Sequence, residues 1–210
     1  MNKLPLVALI SGRGSNLKAI IDAQNPLVEI RAVISNRPQA KGLLYAQQAG
    51  ISTEIIDHTQ FSKRIEFDTT LKTRIDYYQP KLIVLAGFMR ILTPEFINHY
   101  QGRLLNIHPS LLPAFKGLHT HKRVLESGAK EHGTSVHFVT EDLDAGPIII
   151  QARVPVLPDD NEEKLAARVL QQEHRIYSQA IHWFAQSRLQ LQGQNVLLDG
   201  KPLNSWRKLI

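Results

Sequence analysis

The sequence predicts an α/β protein with a mainly parallel sheet in its first half and antiparallel strands added in its second. Three observations carry that expectation. Short β-rich apolar runs alternate with helix-period segments as far as Ile107, the pattern of strands joined by crossover helices. Two further strand-like runs then follow across a short connection, and only antiparallel strands are joined so briefly. Finally, 210 residues with no cysteine suffice for one hydrophobic core without disulfide staples, so a single domain over 1–210 is expected.

The strand candidates of the first half are Leu4 to Ile10, Val28 to Ile34, Ile51 to Ile56, Lys81 to Ala86 and Arg103 to Ile107. Between them Leu17, Ile20 and Ile21 share one helical face, and Phe61, Ile65, Leu71, Ile75 and Tyr78 are read as another. Gly50, Pro80 and Gly102 mark helix ends. In the second half Gly133 to Val139 and Pro147 to Val156 form the antiparallel pair. A long helix opens at Asp160 or Asn161 as N-cap, carries Glu162 and Glu163 in its first turn and runs to about Ser187. Leu189 to Leu191 and Val196 to Leu198 make one more hairpin.

Composition narrows the function. Without cysteine, thiolate metal sites and a cysteine nucleophile are excluded. No apolar run approaches the roughly 20 residues of a membrane span, and the N-terminus lacks a signal-peptide core. A cytoplasmic protein with no membrane partner is therefore expected. The net charge of +6 comes from scattered basic residues, which argues for small phosphate-bearing or carboxylate-bearing ligands and against nucleic acid. Periodicity leaves monomer and homodimer open.

After the first strand, Ser11-Gly12-Arg13-Gly14-Ser15-Asn16 opens directly into a helix. Glycines admit close approach of backbone amides to an anion, and a helix N-terminus favours negative charge. The dinucleotide fingerprint fails at Leu17, where its third glycine would stand, and again at Ser35-Asn36-Arg37, where a ribose-binding acid would stand. No Gly-Lys-Ser/Thr follows, which excludes the nucleoside triphosphate loop. Two readings remain: a cradle for one phosphate built from Gly14, Ser15 and Asn16, or a tight turn capped by Ser15 or Asn16.

Asn106-Ile107-His108-Pro109 places an amide and an imidazole two positions apart at a strand end, on one face, with Pro109 closing the strand. Asn106 donates hydrogen bonds without charge, which suits an oxyanion forming at a carbonyl carbon. Asp144, in the connection before Gly146-Pro147, is a candidate partner for His108, since a carboxylate beside an imidazole favours the proton-donating imidazolium. Spacing alone does not say whether the two meet. On the long helix, Leu165, Val169, Ile176, Ala180 and Trp183 trace an apolar stripe on which Glu173 falls. A carboxylate there needs partners, supplied by a ligand or by a place at the stripe's margin. His119, His121, His132 and His137 form no recognisable metal motif, so no metal is expected. His119 and His121 are read as lining a polar pocket, and His137 as a half-buried strand residue.

Taken together, SGRGSN at 11–16, AGFMRIL at 86–92, NIHPSLLP at 106–113, GLHTH at 117–121, HGTSVHFV at 132–139 and LDAGP at 143–147 resemble the folate-dependent phosphoribosylglycinamide formyltransferase family. The resemblance spans nearly the whole chain. It implies a Rossmann-like formyltransferase fold and transfer of a formyl group from 10-formyltetrahydrofolate, as co-substrate, to the amine of glycinamide ribonucleotide in purine biosynthesis. It further implies ribonucleotide contacts at Gly14, Ser15, Asn16 and Glu173, and folate contacts at Arg64, Met89, Arg90, Ile91, Leu92, Asn106, Thr140, Glu141, Asp142, Leu143 and Asp144. Asn106, His108 and Asp144 take the catalytic roles. The N-terminal half is expected to bind the phosphate and ribonucleotide, the C-terminal half to bind folate and carry the chemistry. A 10-formyltetrahydrofolate hydrolase and a non-catalytic phosphate-ligand binding module are the alternatives.

Overall fold

Leu6, Val7, Ala8, Leu9 and Ile10 are each fully buried, an unbroken apolar run of the kind that a strand covered on both faces requires. A computed structural model describes residues 3–203 and the backbone of 208–209. The chain divides into two compact units, 1–106 and 107–210.

The first unit runs β1 (Leu4–Ile10), α1 (Ser15–Asp22), β2 (Val28–Ser35), α2 (Gly42–Gln48), β3 (Ser52–Ile55), a 3-10 turn His58–Gln60, α3 (Arg64–Tyr77), β4 (Leu82–Leu85), α4 (Pro94–His99) and then β5 (Leu104–His108), which continues past its end. These strands are parallel, in the order β5-β4-β1-β2-β3. The order reverses between β1 and β4, and crevices beyond the carboxyl ends of parallel strands at such a reversal are where ligands bind in open α/β sheets. The loops that leave β1 and β4 therefore border that reversal. Thr93 caps α4 through its side chain, with Pro94 in the first turn.

The second unit comprises α5 (Thr120–Ser127), β6 (Glu131–Phe138), β7 (Ile148–Pro155), α6 (Glu162–Ala185), β8 (Leu189–Gln192), β9 (Asn195–Leu198), β10 (Lys201–Pro202) and β11 (Lys208–Leu209). Strands β6 and β7 are antiparallel, as their short connection requires. Strands β8, β9 and β10 form a separate small antiparallel sheet. The short β11 lies parallel to β7; the sequence carries no signal for it or for β10. Asn161, not Asp160, is the N-cap of α6 and accepts from the Lys164 amide at 2.8 Å. Asp160 instead forms a bidentate pair with Arg168. Helix α6 packs along β6 and β7, and Val124, Val154, Leu165 and Val169 form a core cluster beside it. Among the described residues no helix is long and apolar enough to cross a membrane.

The nine strands and the long helix that the sequence reading placed are present, with bounds shifted by one or two residues. One helical face differs. The buried residues of α3 are Phe67, Asp68, Leu71 and Ile75, whereas Ile65 is 48% exposed and Phe61 precedes the helix. At 3.6 residues per turn Ile65 stands about 240° around the axis from Leu71. Phe67, which lies four residues before Leu71, is the true continuation of the stripe. Truncating Leu71 to Ala should therefore cost about 3 kcal/mol in urea unfolding. The same change at Ile65 should stay within about 1 kcal/mol, and the reverse ranking would mean that α3 presents its other face.

Candidate active site

The loop after β1 turns through Gly14, whose φ of 74° lies in the left-handed region that glycine reaches without strain. A Cβ at Gly14 would meet the Gly42 Cα at 2.5 Å, so the loop and the start of α2 approach as closely as backbones allow. No side-chain bond caps α1, and neither Ser15 nor Asn16 serves as the cap that a tight-turn reading needs. The Gly14 carbonyl accepts from the Lys18 amide, and the helix opens at Ser15 directly after that turn. A turn that opens straight into a helix is a place where a negative charge is favoured.

The base of that loop is tied to the loop after β4. Ser11 Oγ donates to Asn36 Oδ1 at 2.5 Å and accepts from the Met89 amide at 2.7 Å, while the Ser11 amide donates to the Gly87 carbonyl. Ser11 and Asn36 are buried, and His58 Nδ1 stands 2.8 Å from the Asn36 carbonyl oxygen. Sequence reasoning read Asn36 only as the absence of a ribose-binding acid. The signal that finds both residues is a polar side chain placed at the carboxyl end of a parallel strand. The segment they support exposes Met89 and Ile91, at 62% and 55%, while Leu92 is buried. Arg64 is exposed at the start of α3.

In the second unit His108 and Asp144 meet. His108 Nδ1 is 3.3 Å from Asp144 Oδ2, with both side chains less than a tenth exposed. On its other side His108 Nε2 is 3.1 Å from the Phe115 carbonyl oxygen. Both neighbours are oxygens that only accept. Asp144 is itself fixed, since its Oδ2 accepts from the Gly117 amide at 2.9 Å and its Oδ1 stands 3.9 Å from His137 Nε2. Its φ of 48° is left-handed, a conformation costing a non-glycine residue about 1 kcal/mol. The loop returns through Gly146, where a Cβ would overlap the Phe138 carbonyl oxygen at 1.8 Å. Asn106, two residues before His108 on β5 and half-buried, shares its strand face by alternation.

The chain beyond His108 is clamped by β6. Thr134 Oγ1 donates to the His108 carbonyl at 3.0 Å. Ser135 Oγ donates to the Ser110 carbonyl and accepts from the Leu112 amide, and Gln151 Nε2 donates both to Ser135 Oγ and to the Leu112 carbonyl. None of these three residues stood out in the sequence, because a Ser or Thr within a strand shows no spacing of its own. The loop at 140–144 carries exposed Glu141, Asp142 and Leu143, with Thr140 half-buried. Glu173 is buried on the face of α6 as its spacing implied, 8% exposed, with Tyr177 and Ile181 widening the stripe beyond Ala180. Trp183 lies at the margin.

The remaining histidines part company. His119 is exposed, at the left-handed N-cap of α5. His121 Nδ1 lies 3.0 Å from His132 Nε2, so these two rings share one hydrogen bond. His137 is not half-buried. It is 2% exposed, because β6 is covered on both faces and Val136 and Phe138 are buried with it, and burial pushes its pKa down. Among the described residues no group of three or more metal-ligating side chains converges.

With this geometry in view, residues 4–181 match the formyl transferase family model. The chain belongs to that family. Among curated relatives, the phosphoribosylglycinamide formyltransferase of Escherichia coli is 55% identical over 94% of this chain and 95% of its own length. That of Haemophilus influenzae is 45% identical with the same coverage. The solved phosphoribosylglycinamide formyltransferase of Coxiella burnetii superposes with a TM-score of 0.93 at 56% identity, covering 97% of both chains.

The histidine pair yields a pH dependence. Burial, followed by the charges of His121 and His132's other neighbour His108, lowers the His132 pKa to about 4. Between that value and the ordinary 6.5 the unfolded chain binds a proton that the folded one does not, so stability rises with pH across the interval and is lost as pH falls through it. The His132 contribution is on the order of 3 kcal/mol at its fullest. Urea unfolding at pH 4.5 and 7 should show a difference that shrinks in His132→Gln; an equal difference in both proteins would remove His132 as its source.

Proposed function

We propose that this chain transfers the formyl group of 10-formyltetrahydrofolate to the amine of glycinamide ribonucleotide, a step of purine biosynthesis. The observation that carries the chemistry is the His108 ring set against Asp144 at 3.3 Å, at the end of the strand that also bears Asn106. The amine adds to the formyl carbon, and the carbonyl oxygen becomes an oxyanion. Asn106 and His108 donate to that oxygen as charge develops on it. Collapse breaks the bond from carbon to the folate nitrogen, and the proton lost by the attacking amine passes to that nitrogen. Asp144 holds the His108 ring in its donating orientation and orients the water that relays the proton. No residue is acylated along this route.

The ribonucleotide phosphate is assigned to the amides of Gly14, Ser15 and Asn16 and to the Ser15 hydroxyl, and its ribose or glycinamide end to Glu173. A loop at a helix start suits the dianion, and a buried carboxylate suits hydroxyl or amine donors. The folate is assigned to Arg64, Met89, Arg90, Ile91, Leu92, Asn106 and the loop from Thr140 through Glu141, Asp142 and Leu143 to Asp144. Exposed apolar side chains at Met89, Ile91 and Leu143 offer flat surface to an aromatic ring system, and Arg64 offers charge to a carboxylate. Together the two halves serve one formyltransferase domain over 1–210, the first for phosphate and ribonucleotide, the second for folate and catalysis. A cytoplasmic setting, a monomer or homodimer, and small-molecule substrates in place of nucleic acid or membrane complete the proposal.

Formyl transfer measured with glycinamide ribonucleotide present and omitted tests it directly. Turnover is expected only with the ribonucleotide; turnover without it would make the protein a hydrolase. His108→Ala and Asp144→Asn should each lower kcat by two to four orders of magnitude, about the range of general acid–base assistance, with ribonucleotide affinity within about threefold. Full ribonucleotide binding by an enzyme with no transfer activity of its own would favour a binding module.

A further inference from the structure

Asp68 lies on the buried face of α3 between Phe67 and Leu71, 2% exposed. A carboxylate in that position is costly unless it does something specific. Its Oδ2 accepts from the Thr93 amide at 2.6 Å. Its Oδ1 is buried with no hydrogen-bond partner, and so is Nε of Arg90. The Arg90 guanidinium stands over the ring of Phe67, 4.9 Å from its centroid, which brings it beside the helix turn that carries Asp68. Arg90 belongs to the segment Met89 to Leu92, whose Met89 and Ile91 are exposed. The near end of that segment is tied by the Met89 amide to Ser11 Oγ, and the far end at Thr93 is tied by Asp68. A segment pinned at both ends holds its intervening backbone and side chains ready for a ligand, so that little ordering remains to oppose binding.

We infer that Asp68 is a positioning residue for folate recognition: one carboxylate oxygen anchors the Thr93 end of the Met89–Leu92 segment and the other is held for Arg90 Nε. The inference rests on the placement of the folate against that segment. Burial pushes the Asp68 carboxyl up, against the Thr93 hydrogen bond, which pulls it down. That balance belongs to a group kept in place for its contacts. Asn at this position retains an acceptor for the Thr93 amide but no charge for Arg90, and Ala retains neither.

Steady-state kinetics on Asp68→Ala, Asp68→Asn and Ile91→Asp test the assignment, with thermal unfolding as the check on folding. Asp68→Ala should raise KM for 10-formyltetrahydrofolate about tenfold while KM for glycinamide ribonucleotide stays within twofold, and Asp68→Asn should raise the folate KM about threefold. Where Asp68→Ala does not fold, Asp68→Asn decides by the same criterion. An unchanged folate KM, or both KM values rising in step with a lowered Tm, overturns the role. Ile91 is 55% exposed, and its replacement by Asp leaves the core untouched. If Ile91→Asp raises the folate KM and the Asp68 variants do not, Asp68 alone loses its part; if Ile91→Asp changes nothing, the folate placement falls and the Asp68 role with it.

Discussion

A strand buried on both faces tolerates a polar side chain only where a partner already waits, and the chemistry of this protein is arranged by that constraint. Leaving a buried donor or acceptor unmade costs about 1–3 kcal/mol. In the first unit β1 and β4 are apolar throughout, and buried polar side chains stand at strand ends, Ser11 after β1 and Ser35 and Asn36 closing β2. From there one hydroxyl, Ser11 Oγ, joins β2 to the loop after β4. The loop that presents backbone amides and the loop that presents exposed apolar side chains thus share one buried anchor.

Strand β6 meets the same constraint differently. It is buried nearly end to end yet carries His132, Thr134, Ser135 and His137, and each finds a specific neighbour: His121, the His108 carbonyl, the Ser110 carbonyl and the Phe138 carbonyl. Two of those contacts act on the chain around His108. Thr134 and Ser135 fix the backbone just after it, and the His121–His132 pair fastens α5 to β6. His108 is therefore set by its backbone as well as by its two ring contacts.

Strain and unmade bonds fall in the same places. Asp144 has a left-handed backbone, Gly14 and Gly146 sit where a Cβ would overlap a neighbour, and Asp68 Oδ1, Arg90 Nε and His132 Nδ1 are buried without hydrogen bonds. None of these features stabilises the fold. They are the kind of local cost that persists where surrounding structure over-determines a conformation and function uses it. Asp144 and Gly146 share the loop that faces His108, Gly14 turns the loop after β1, and Asp68 lies on the buried face of α3 beside Phe67, over which Arg90 stands.

Much of this was legible in the residues. Short apolar runs marked the parallel strands, a seven-residue connection ending at Gly146 marked the antiparallel pair, and the spacing of two put Asn106 and His108 on one face of β5. Those features depend on neighbours a few positions apart, where strand and helix periods hold. Ile65 shows the limit even there, since it stands six positions before Leu71, a spacing that a 3.6-residue turn never returns to one face. What the sequence by itself determined was the order of elements, the kind of loop after β1 and the chemical types available at the end of β5. Tertiary structure alone decided that Asp144 reaches His108 across 36 residues, that Ser11 reaches Asn36 and Met89, and that His132 pairs with His121. Contacts between residues distant in the chain follow from how whole elements pack, and no local periodicity encodes them.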